Sequence, residues 1–152
     1  MRLIVKSRRL AEQSNGLKEP HIIISIRNPG SKVPDLATNE NTKGTLFFEF
    51  DDLDRMPKEG SATYEALGKP ILFQPEMAQK VIKKLKDTEV QAVIVHCEAG
   101  VSRSAGLAAA LSNHFNEDDT EYFSGAATMY APNVYCPNYH VYRVMLEALN
   151  EG

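Results

Sequence analysis

The sequence predicts an α/β fold, a single domain in which a central, mainly parallel sheet is flanked by helices. Strand-like and helix-like segments alternate along the chain in the order βαβ…βαβα. Two of the strand-like runs, HIIISIR (21–27) and VQAVIVH (90–96), are almost wholly apolar and β-branched, as in strands buried on both faces. The 152 residues show no internal repeat, low-complexity segment or domain boundary, and suffice for one real core.

The elements follow in order. RLIVK (2–6) reads as a short first strand. Ser7 opens SRRLAEQS, a short helix that its hydroxyl can cap and that Gly16 ends. The second strand is HIIISIR. NPGSKVPDLATNENTKG (28–44) is polar and rich in Pro, Gly and Asn, hence a loop. TLFFEF (45–50) is the third strand, and residues 51–70 are acidic, then irregular. Pro75 opens the helix PEMAQKVIKKLKD, with Met77, Val81, Ile82 and Leu85 on one face. VQAVIVH is the fourth strand. Small apolar residues from Arg103 to Phe115 predict a well-buried helix, residues 116–138 a loop or broken helical segment, and HVYRVMLEAL (140–149) a closing helix.

A net charge of −3 argues against broad nucleic-acid or anionic-membrane binding, while leaving room for a local basic pocket. No apolar run is long enough to span a bilayer, and MRLIVKSRRLAEQ does not read as a signal peptide. Two cysteines give no disulfide framework. Cys97 and Cys136 form no CxxC pair, and His21, His96, His114 and His140 show no paired ligand spacing. A cytoplasmic monomer with free thiols, needing no metal or cofactor and binding neither nucleic acid nor membrane, is expected.

HCEAGVSRS (96–104), between the fourth strand and the alanine-rich helix, carries residues that packing does not call for. Parallel α/β sheets place their sites beyond the carboxyl ends of strands. A tight loop entering a helix aims backbone N–H groups and the positive end of the helix dipole at one point. Gly100 permits the turn. Arg103 offers a planar fork for two phosphate oxygens. A thiol in such a cradle is the expected nucleophile, as thiolate, which makes Cys97 the candidate.

Cys-x5-Arg followed by Ser, with His before Cys, resembles the signature loop of cysteine-dependent protein tyrosine phosphatases. HCEAGVSRS is most similar to the dual-specificity branch, whose loops often read HCxxGxSRS. IIISIRNPGS, LFFEFDDLD and PNYHVYRVML resemble, in order and character, segments of small prokaryotic and phage-type members. The resemblance implies a cysteine-phosphatase-like domain and a two-step reaction on a phosphorylated protein or a small phosphate ester. Cys97 forms a phosphocysteine, which water then hydrolyses. Arg103 and the backbone amides of Glu98, Ala99, Gly100, Val101, Ser102 and Arg103 hold the phosphate oxygens. Ser104 supports sulfur as leaving group, besides any capping role. Strand alternation turns His96 away from Cys97, so it orients the loop rather than moving a proton.

The resemblance also implies an aspartate acid just after an upstream strand. Matching the strand end ranks Asp52 first, Asp51 second and Asp54 third, and at least two of the three are expected to be plain loop acids. The stretch from Asp52 to Cys97 is longer than the family pattern, with GSATYEALGKPILF (60–73) as the extra segment, a flap or substrate lip. The late cysteine and preceding acids argue against low-molecular-weight phosphatases, arsenate reductases and sulfur transferases. Asp118 and Asp119 belong at the far end of the helix that leaves the loop. Retention of Cys97 and Arg103 argues against a pseudophosphatase that only binds phosphate; a non-protein phosphate ester stays open as substrate.

Lesser readings concern side chains nearby. Asn138 reads as a helix cap that can also brace the loop. Cys136 reads as an ordinary buried thiol, or as a trap for oxidised Cys97. Tyr130, Tyr135, Tyr139 and Tyr142 read as packing rather than a recognition surface, and Arg27 as a solvated surface cation rather than a source of positive field in the pocket.

Overall fold

The computed structural model describes residues 1–125 and 134–151. The two apolar runs pair at the centre of the sheet. β2 (His21–Arg27) lies beside β4 (Ala92–Cys97), β1 (Arg2–Ser7) is the outer neighbour of β4, and β3 (Thr42–Glu49) that of β2, in the order β1-β4-β2-β3. Every pairing is parallel. Central position on both flanks is what the unbroken β-branched character of β2 and β4 serves: all six residues of β4 and the first six of β2 are buried.

Alternation divides these strands between two faces. Ile22, Ile24 and Ile26 of β2 join Val93, Val95 and Cys97 of β4 in the main core. Against them pack α3 (Pro75–Asp87), α4 (Arg103–Asn116) and α6 (Tyr139–Glu151), through Val81, Leu107, Leu111, Val141 and Met145. Alanines at 105, 108, 109 and 110 let α4 bury nearly its whole circumference. On the opposite face stand Ile23, Ser25, Ile94 and His96. Ile4 and Ile94 there line a cleft with Gly16 and Leu17, which follow α1 (Arg8–Gln13). Ser7 caps α1 as expected, its Oγ accepting from the Leu10 amide at 3.2 Å.

The structure corrects several boundaries. β3 begins at Thr42, inside the stretch read as loop, because Thr42 pairs with His21 across a register shift between His21 and Ile23. Thr42 Oγ1 and Asn15 Nδ2 stand 2.9 and 2.8 Å from the buried His21 Nε2 and fix that end. β4 starts two residues later than expected and runs to Cys97. Residues 51–70 are not irregular throughout: α2 (Ala62–Leu67) starts where Ser61 Oγ accepts from the Tyr64 amide and stops at left-handed Gly68. A four-residue helix, α5 (Thr120–Phe123), interrupts the stretch after α4. Among the described residues no helix is long and apolar enough to cross a membrane.

Candidate functional site

The carboxyl end of β4 and the amino end of α4 are joined by residues 98–102, and the β1–α1 turn lies directly against this loop. The Arg8 amide donates to the Glu98 carbonyl at 3.1 Å. Gly100 has φ of +73°, and a Cβ there would stand 2.7 Å from the Ser7 nitrogen and 2.8 Å from the Lys6 carbonyl carbon. Both the left-handed conformation and this backbone contact demand glycine. The Glu98 carboxylate is held by Arg8, 3.2 Å from Nη1, and Arg8 also donates to the Lys32 carbonyl.

Cys97, the last residue of β4, points to the helical face and is buried. Its sulfur lies 3.0 Å from Ser104 Oγ in the first turn of α4 and accepts from the Gly100 amide at 3.3 Å. The loop thus curls around the sulfur, and the hydroxyl expected to support it is in contact.

Arg103 is buried, with Nη1 donating to the Phe50 carbonyl at 2.7 Å. Its Nε is the one buried side-chain polar atom among the described residues without a protein partner. An unmet buried donor on a cation costs free energy unless a ligand supplies the acceptor. The amides of Ala99, Val101 and Ser102 have no protein acceptor among the described hydrogen bonds outside helices and strands. These unmet donors lie at the positive end of a 14-residue helix, an arrangement whose chemistry suits an anion.

The three candidate acids part company here. Asp51 is tied to the chain after α2: its Oδ2 accepts from the Ile71 amide and its own amide donates to the Ile71 carbonyl, each at 2.7 Å. Asp54 Oδ1 accepts from the Tyr139 amide at the start of α6, 3.1 Å away. Among the described hydrogen bonds Asp52 alone of the three reaches the loop, its Oδ1 accepting from Ser102 Oγ at 2.7 Å and also from Asn138 Nδ2 at 2.8 Å.

Asn138 performs both roles weighed for it. Its Oδ1 accepts from the Val141 amide at 3.0 Å, capping α6, while its own amide donates to the Ser102 carbonyl at 3.0 Å. Gly106 escaped the sequence reading and explains this approach: a Cβ there would stand 2.5 Å from the Asn138 carbonyl oxygen. The available signal was a glycine inside an alanine-rich helix, where it costs about 1 kcal/mol against alanine and calls for a packing reason.

His96 faces away from Cys97, as alternation predicts. Its Nε2 is 2.6 Å from Ser25 Oγ, opposite it in the sheet, and its Nδ1 is 3.2 Å from the Cys97 carbonyl. Burial is the largest influence on the imidazole and pushes its pKa below the ordinary 6.5. A neutral ring accepts from Ser25 and donates to the carbonyl of the cysteine, so His96 steadies the strand end through the backbone. The sign follows from linkage: the fold favours the neutral ring, so its contribution is complete above pH 6.5 and is lost as pH falls below that value. Denaturant unfolding at pH 7.5 and 5.5 should show the wild type losing more stability on acidification than His96→Asn. Equal losses would remove the buried imidazole as the cause.

Other side chains fall around this centre. Cys136 is exposed rather than buried, contrary to the sequence reading, and its amide donates to the Val101 carbonyl at 3.0 Å. Arg27 is not a solvated cation: it pairs with Glu49 and donates to the Ser31 carbonyl at 3.3 Å, bracing the turn after β2. Asp119 sits at the far end of α4, as expected, where its Oδ2 accepts from Asn113 Nδ2 and, at 2.6 Å, from the Tyr142 hydroxyl. Burial and this bond push the Tyr142 phenol up to about 12. Tyr142, Tyr139 and Phe123 form an aromatic cluster, and Tyr135 stacks on Tyr122 with centroids 5.2 Å apart, while Tyr130 lies outside the described residues. Among the described residues no cluster of three or more His, Cys, Asp and Glu side chains is placed to hold a metal ion.

Neither models of known protein families nor curated protein sequences give a match to this chain.

Proposed function

We propose that the protein is a cysteine-dependent phosphomonoester hydrolase of the protein tyrosine and dual-specificity kind. The observation that supports the reading is the loop entering α4, where the Cys97 sulfur meets the Ser104 hydroxyl and the Gly100 amide and where buried Arg103, the first residue of the helix, keeps an unpartnered Nε. A phosphate seated there receives the guanidinium edge and loop amides on its equatorial oxygens, the arrangement that phosphoryl transfer needs.

In the first step the Cys97 thiolate attacks phosphorus. An S–P bond forms, the P–O ester bond breaks, and the leaving oxygen takes a proton from Asp52. Ser102 and Asn138 both engage Oδ1, which leaves Oδ2 to carry that proton. In the second step Asp52 accepts a proton from water as it attacks phosphorus, and the S–P bond breaks to release phosphate and the thiolate. The Ser104 hydroxyl stabilises sulfur as it leaves. Phosphotyrosine in proteins is the preferred substrate, with phosphoserine and phosphothreonine as further ones. Free thiols at Cys97 and Cys136 suit a reducing compartment, the cytoplasm.

The decisive assay is hydrolysis of an aryl phosphate in excess chelator, with and without vanadate. Turnover that persists in chelator and is blocked by vanadate is expected; no turnover, or turnover abolished by the chelator, overturns the reading. The acid is tested by single replacements. Asp52→Asn should lower kcat by about 100-fold on an ester with a poor leaving group, and much less on a nitrophenyl ester. Asp51→Asn and Asp54→Asn should not show that dependence. A leaving-group effect that appears in a neighbour instead would reassign the role.

A further inference from the structure

We propose that Arg8, at the junction of β1 and α1, is a positioning residue for the phosphate loop: it turns the Ala99 amide toward the anion and keeps the Glu98 carboxylate from opposing it. The inference rests on the phosphatase reading and deepens it by adding to the site a residue from another element.

β1 and β4 run parallel with Ser7 opposite Cys97. The first residues beyond the two strands therefore meet, Arg8 against Glu98. Arg8 holds Glu98 twice. Its amide donates to the Glu98 carbonyl at 3.1 Å, and its Nη1 donates to the carboxylate Oε1 at 3.2 Å. The guanidinium is itself fixed, by the Lys32 carbonyl on Nη2 and by Glu12, 3.5 Å from Nε. Only 16% of the Arg8 side chain is exposed, so the pair is a set contact rather than a fluctuating surface one.

Each hold has its own consequence. A trans peptide unit is planar, so its carbonyl and its N–H point in opposite directions. With the Glu98 carbonyl turned to Arg8, the Ala99 N–H of the same unit points away from the β1–α1 junction. That N–H has no protein acceptor among the described hydrogen bonds outside helices and strands. Released from Arg8, the unit is free to turn its carbonyl to the anion instead. The side chain matters through charge. Glu98 directly follows Cys97, and among the described residues Arg8 is the one partner of its carboxylate. Unpaired, that carboxylate would stand beside a thiolate and a phosphate of its own sign.

The test measures inhibition of aryl phosphate hydrolysis by vanadate. Arg8→Met keeps the amide and loses the guanidinium. Its inhibition constant should rise about fivefold at low salt, and the loss should shrink at high salt or when Glu98→Gln is added. Arg8→Pro removes the amide as well. Proline suits this first helical position, and Ser7 before it is already extended, with φ −72° and ψ 163°. Here the constant should rise roughly 50-fold, and neither salt nor Glu98→Gln should restore it. Constants within about twofold of the wild type in both variants overturn the proposal. So does a loss in Arg8→Met that neither salt nor Glu98→Gln reduces, which would make Arg8 a general support of the fold. A wild type that hydrolyses no ester overturns the phosphatase reading itself, and that outcome is seen before any variant is made.

Discussion

Cys97→Ser is expected to lower kcat for an aryl phosphate by about 10⁴-fold or more while leaving phosphate or vanadate binding in place. The substitution keeps the size and hydrogen-bonding capacity of the side chain. The Gly100 amide and Ser104 hydroxyl that meet the sulfur can meet an oxygen as well. What is lost is the proposed nucleophile. An alcohol ionises far less readily than a thiol and needs a neighbouring base, as in a serine–histidine pair. No such base is at hand here. His96, the nearest histidine in sequence, lies on the opposite face of the sheet with Ser25 on its Nε2, and the hydrogen bonds described at the Cys97 sulfur come from the Ser104 hydroxyl and the Gly100 amide, neither of them a base. The measurement is steady-state hydrolysis beside a thermal shift with vanadate. Loss of turnover with a preserved vanadate-induced rise in Tm is the expected pair. Turnover within a few-fold of the wild type would mean that Cys97 is not the attacking group.

The contrast between residues at this site also explains what the sequence made legible. Cys97, Gly100, Arg103 and Ser104 are set within one strand–loop–helix segment, where spacing alone keeps them close, and the structure brings the Cys97 sulfur to the Ser104 hydroxyl and the Gly100 amide. His96 was equally legible, because strand alternation is local. The order among Asp51, Asp52 and Asp54 rested on a family pattern. It becomes physical only through Asn138, 86 residues beyond Asp52, and through Ser102. Such long-range partners leave no periodic trace.

The boundary errors share that origin. β3 reaches back to Thr42 because His21 and Asn15 give its hydroxyl partners, a tertiary contact overriding the polar loop composition. α2 was missed because it buries nothing, so no apolar stripe announced it. Cys136 misled in the other direction. Free cysteines are usually buried, but a backbone bond to Val101 holds this one at the surface beside the loop. Gly106 was visible and its reason was not, since the oxygen it accommodates belongs to residue 138.

Arg103→Lys should lower kcat/KM by roughly 10³-fold and, unlike Cys97→Ser, should also abolish the vanadate-induced rise in Tm. Charge is conserved in this change, so a seat that required only positive potential would tolerate it. The geometry requires more. The guanidinium uses one corner, Nη1, on the Phe50 carbonyl and keeps a buried Nε without a protein partner, the donor that the proposed anion would meet. A planar fork can satisfy both at once; an ammonium on a flexible stem is a single point that must choose. If it keeps the Phe50 carbonyl, the anion loses its donor. If it turns to the anion, a carbonyl of a fully buried residue loses its partner, at a cost of about 1–3 kcal/mol. That carbonyl lies two residues before Asp52, so the same guanidinium would tie the proposed phosphate seat to the segment that carries the proposed acid. Lysine should therefore impair binding and proton transfer together, and its deficit on poor leaving groups should exceed that on a nitrophenyl ester. A lysine variant with wild-type vanadate affinity would show that the anion is held by the loop amides and helix terminus alone, and the clamp role would pass from Arg103 to the backbone.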